Sequence, residues 1–134
     1  MDVDWNRKSA AGKAELFASG AKRVPIYARI WRGRTKAKDF DAYAAYLYEH
    51  GVLKIERMEG NLGVQMFRHQ VGDVGDFMVV SFWPSLDSIR VWSGDDLTRT
   101  RHLEKDPEFL LELPERVTLV EVCANDWAIS GGAR

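Results

Sequence analysis

Apolar and polar positions mark out a sequence of elements along the chain. IYARIWRG (26–33), entered through Pro25, is rich in β-branched and aromatic residues and reads as a strand. After it Thr35 is placed to cap a helix, with Phe40, Tyr43, Ala44 and Leu47 at helical spacing and Gly51 as the expected stop. GVQMFRHQ (63–70) and DFMVVSFW (76–83) flank the turn-prone VGDVG and predict a hairpin. Ser85 then opens a second helix carrying Leu86, Ile89 and Trp92. SGDD interrupts it, and Asp95 or Asp96 is expected to restart it into LTRTRHLEK. DPEFLLELPER reads as an irregular or briefly helical connection, and VTLVEVC (117–123) as the last strand.

The order is β-α-β-β-α-β, which predicts an α+β, ferredoxin-like fold: a four-stranded antiparallel sheet with helices on one face. Residues 1–24 read as an N-terminal extension, an arm to lay on a partner, in which only SAAGKAELFASGAK has helical character. Residues 25–123 form the domain, and 124–134 a C-terminal tail with Trp127 as its one anchor.

Both faces of the sheet are expected to be apolar. Phe77, Val79 and Trp83 point one way in the third strand, and Met78, Val80 and Phe82 the other. Val117, Leu119 and Cys123 likewise oppose Val120 and Val122. Helices cover one face only, so the other calls for a second copy of the chain, a homodimer packed sheet on sheet.

Composition narrows the function. With 46% apolar and 29% charged residues in 134, the chain is expected to form one soluble domain. A net charge of -1 offers no field for nucleic acid. No apolar run suits a membrane or a signal peptide, so a cytoplasmic location is expected. A single cysteine, Cys123, excludes an internal disulfide, and it reads as a core residue rather than a nucleophile. No HxH or HExxH spacing exists, so no metal site is expected.

IYARIWRGRTKAKDFDAY, FWPSLDSIRVWSG and DPEFLLELPERVTLVEV together resemble the antibiotic biosynthesis monooxygenase superfamily, from about Ile26 to Val122. The resemblance implies a dimeric α+β barrel. It also implies cofactor-free oxidation of aromatic polyphenols or haem degradation, beside members with no assigned activity; a non-catalytic small-molecule binder or stress-response module is the alternative from another class. These motifs specify the fold better than the reaction.

For the cofactor-free branch the candidates are Tyr43, Tyr46 and His50, which fall within roughly 60° of one another on a regular helix. They would orient a phenol and take its proton; the alternative is the amphipathic border of a packed helix. For the haem branch the resemblance carries a tryptophan and an iron-ligating histidine onto Trp92 and His102. The asparagine that the haem-degrading members place on the first strand is missing, since Arg29 and Trp31 stand there. The alternative for His102, among Arg99, Arg101, Glu104 and Lys105, is a surface or rim residue. Trp31, Trp83 and Trp92 fall where a pocket between sheet and helices would be lined, with Arg29 as a further substrate-binding candidate. A guanidinium on a half-apolar strand needs a partner, for which Glu121 or a ligand carboxylate is expected. RGRTKAK, with Arg32, Arg34, Lys36 and Lys38, reads as an exposed basic loop or an anion-holding one.

Overall fold

The computed structural model describes residues 25–125. The arm at 1–24, and the tail from 126 on with Trp127, lie outside the described residues. Four strands form one sheet: β1 (Tyr27–Lys36), β2 (Gly63–Val71), β3 (Val74–Trp83) and β4 (Thr118–Glu121). Their order is β2-β3-β1-β4, and every neighbouring pair is antiparallel. This is the expected ferredoxin-like architecture. The β2–β3 hairpin closes through Gly72 and Asp73, with Gly72 supplying the positive φ of 57°.

The first crossover departs from expectation at both ends. Thr35 is not a cap. It is still in β1, fully buried, and its hydroxyl donates to the Lys36 carbonyl. A short turn, Ala37–Asp39, leads into α1 (Phe40–Leu47). Gly51 is not a stop either. The chain widens into a π-helical turn over Tyr48–Val52 and continues as α2 (Leu53–Glu56). Val52 and Ile55 are buried beyond the glycine, and that burial outweighs its helix-breaking tendency of about 1 kcal/mol.

The second crossover is mostly irregular. Ser85 does cap it: its Oγ accepts from the Ser88 amide at 3.0 Å. A turn at Asp87–Ile89 and α3 (Arg90–Ser93) follow, ending at Gly94 with a φ of 78°. The expected restart at Asp95 or Asp96 does not occur, and residues 95–105 contain no helix. Their backbone is bonded elsewhere: the Thr100 amide to the Glu115 carbonyl, and the Val117 amide to the Thr98 carbonyl. Only α4 (Asp106–Phe109), with proline in its first turn, is helical before β4.

The two faces separate as the alternation predicts. On the helix side, Phe77 and Val79 pack with Tyr43, Leu47, Val52 and Leu110, while Trp83 packs with Ile55, Ile89 and Trp92. On the other side Ala28, Val80 and Phe82 cluster with Ile30, Met78 and Val122, and among the described residues that cluster contains no helical one. In register with them, Phe67 and Val120 stay 45% and 40% exposed. Cys123 is exposed rather than in the core, because β4 ends at Glu121, before reaching it. Among the described residues, no helix is long and apolar enough to cross a membrane.

Candidate functional site

β1 places Arg29 and Trp31 on the helix-side face, in register with Ser81 and Val79 of β3. Between that face and the first crossover helix lies a cavity. Arg29, Trp31, Ser81 and Trp92 contribute to its walls together with Leu47, Val52 and Ile55. It measures about 30 Å³, room for one or two water molecules. Its outer wall is Arg101 and Leu103, from the irregular 95–105 segment.

Arg101 and Leu103 are also the inner wall of an open cleft of about 560 Å³. The opposite bank is the first crossover helix, with Tyr46, His50, Lys54 and Arg57, and His102 lies on the near bank. The structure therefore brings together two candidates that the sequence assigned to rival chemistries. His50 and His102 share one cleft. His50 packs at a tilt of 37° against Tyr46 with ring centroids 4.7 Å apart, and the Tyr46 hydroxyl accepts from the Lys105 amide at 2.8 Å. Both imidazoles are exposed. Trp92, by contrast, faces the cavity, and the Arg101 guanidinium lies over its indole at 4.4 Å. Trp92 and His102 thus open onto different spaces, with Arg101 between them.

Tyr43 is not in the cleft. It is fully buried and donates to Asp106 Oδ1 at 2.9 Å. Burial, then the neighbouring Asp106 charge, raise its hydroxyl far above the ordinary tyrosine range. Trp83 is also fully buried, in the core beside Ile89, and its indole donates to Ser81 Oγ at 2.9 Å. It supports the cavity through Ser81 without lining it.

Among the described residues, Arg29 finds neither Glu121 nor any other carboxylate. It is 4% exposed, and it donates from Nε to the Leu97 carbonyl at 3.0 Å and from Nη2 to the Arg99 carbonyl at 2.5 Å. Desolvation lowers its pKa to about 10, so it is charged at neutral pH. The basic run after it is strand rather than loop as far as Lys36, and Arg34 is paired with Glu112.

Several site residues escaped the sequence reading. Asp106 is 2% exposed and lines the cavity; its Oδ2 accepts from the Leu103 amide at 2.9 Å. Its one local signal is an aspartate ahead of Pro107 at a helix start. Arg101 and Leu103 carried no signal, because only the fold of 95–105 turns them inward. Among the described residues, no group of three or more histidine, cysteine, aspartate or glutamate side chains could hold a metal ion.

Fold and site define a ferredoxin-like α+β protein with an aromatic cavity beneath an irregular strap. Among solved structures it is similar to a Bacillus cereus protein provisionally described as an antibiotic biosynthesis monooxygenase. The TM-score is 0.55 and the identity 13%, over 78% of this chain and 99% of that one. The resemblance read from the sequence thus extends to the fold, and at this identity the likeness is one of fold alone. No protein-family model matches the chain. No curated protein matches it.

Proposed function

We propose that this protein is a small oxygenase that oxidises an aromatic or polyphenolic compound without a bound organic cofactor, acting as a homodimer. The observation that carries the reading is the convergence of Tyr46, His50 and His102 on one cleft, whose inner wall screens a cavity walled by Trp31 and Trp92. The substrate's rings lie in the cleft, since the cavity is too small to take them. His50, packed against the Tyr46 ring, accepts the phenol proton. The phenolate then passes an electron to dioxygen, the two radicals join at a ring carbon, and the resulting peroxide takes back the proton held by His50. Loss of water from that hydroperoxide leaves a quinone, so one oxygen atom enters the product and the other leaves as water. The monooxygenase description of the Bacillus cereus protein of like fold favours the same class.

Oxygen consumption with a test quinol checks the assignment. His50→Ala, folded by circular dichroism, should lose about 100-fold or more in turnover. Unchanged turnover removes His50 from the chemistry. The dimer reading rests on the apolar second face, which carries Phe67 and Val120 partly exposed.

Haem binding through His102 is the second reading. What supports it is an exposed imidazole beside Lys54, Arg57, Arg101 and Lys105, cations suited to propionate groups. The cavity that Trp92 faces cannot hold the macrocycle, so the residues fit haem only in the open cleft. A haemin titration of wild type beside His102→Ala decides. A saturable Soret shift at one haem per chain, absent from the variant, establishes the haem reading; weak adsorption by both removes it. Tight binding of a quinol with no oxygen uptake would instead mark a non-catalytic binder.

A further inference from the structure

The cavity under the 95–105 segment has an unusual charge. Three charged side chains line it, Arg29, Arg101 and Asp106. Asp106 is already satisfied on both oxygens, by Tyr43 and by the Leu103 amide, and neither guanidinium bonds to it. Arg29 is buried, and among the described residues it has no carboxylate partner. Two of its nitrogens, Nε and Nη2, are engaged by main-chain carbonyls, and a guanidinium carries five N–H donors. Its other donors have no partner among the described residues, and the side chain lines a small space flanked by indole rings. Such a cation is unfavourable alone and favourable with an anion in bidentate reach.

We infer that this cavity is an anion subsite, in which Arg29 and Arg101 receive the carboxylate of an aromatic acid whose rings lie in the cleft beside Tyr46 and His50. The size agrees with that division. About 30 Å³ takes one or two waters, and a carboxylate replaces two waters with two oxygens. The ring system remains outside, in the cleft of about 560 Å³. Arg101 and Leu103 line both spaces, so a group on their shared wall is also one that binds the ligand. The inference rests on the proposed seat of the aromatic body in the cleft, and it adds that the phenolic substrate also carries a carboxylate.

The test uses binding alone, without turnover. The full chain is titrated with 2-naphthoate and with 2-naphthamide, neutral and nearly isosteric, and tryptophan quenching is read. Wild type should prefer the acid by about 10- to 100-fold, the worth of one charged hydrogen-bonded contact. Arg29→Met should lose that preference while still binding the amide. Equal affinities in wild type, or a preference that survives in Arg29→Met, would overturn the subsite and leave the oxygenase reading standing. Failure of wild type to bind either compound would overturn both. If Arg29→Met does not fold, Arg101→Met decides: a several-fold smaller preference supports the subsite, and an unchanged one overturns it.

Discussion

The Tyr43 hydroxyl donates to Asp106 Oδ1 at 2.9 Å, joining the middle of α1 to the start of α4. Through its other oxygen Asp106 holds the Leu103 amide. One buried carboxylate therefore ties the helix to the segment that closes the cavity. Tyr43→Phe leaves an Asp106 oxygen without its donor and should cost about 1–3 kcal/mol at pH 7, read by chemical denaturation. The pH dependence follows from the raised Tyr43 value. The stability this group contributes is complete below the unfolded tyrosine pKa, about 10, and is lost as pH climbs beyond it, because only the unfolded chain ionises there. The gap between wild type and Tyr43→Phe should narrow above pH ~10. A gap that widens there would show that the hydroxyl ionises in the fold.

Gly33 sits under the Trp31 indole. A Cβ at that position would lie 2.4 Å from the ring. Gly33→Ala should therefore swing Trp31 off the cavity, at a cost of about 1–3 kcal/mol. A melting curve and the tryptophan emission maximum check it. Unchanged emission with unchanged stability would mean that the ring lies elsewhere.

Leu103 separates the cleft from the cavity. Leu103→Ala should open one into the other, raising iodide quenching of the tryptophans and lowering stability by about 1–3 kcal/mol, less than a fully buried leucine would cost. Quenching equal to wild type would place another group as the barrier.

The second sheet face gives the oligomer prediction. Wild type should sediment with the mass of two chains. Phe67→Asp and Val120→Lys, each adding a charge to that face, should yield single chains with unaltered circular dichroism. A monomeric wild type at micromolar concentration ends the dimer reading.

Much of the fold was legible because the alternation of Phe77, Val79 and Trp83 against Met78, Val80 and Phe82 is a local property of one strand. Helix boundaries were less so. Gly51 reads as a stop in isolation, yet packing of Val52 and Ile55 carries the helix past it. The site divided in the same way. Tyr46 and His50 were found together because four residues on a helix are neighbours. Tyr43 shares their sequence signature, but the core claims it through Asp106.

Taken alone, the sequence determined the order of strands and helices, the two apolar faces and the aromatic character of the space between sheet and helix. These follow from side-chain period, which each strand or helix carries within itself. Tertiary structure alone decided that residues 95–105 form a strap rather than a helix, because Arg29 and the Glu115 carbonyl bind its backbone from far along the chain. The strap in turn sets His102 opposite His50, turns Arg101 onto Trp92, and leaves Arg29 buried with no carboxylate beside it among the described residues. Contacts between positions so distant in sequence have no local period, and only the closed sheet brings them within reach.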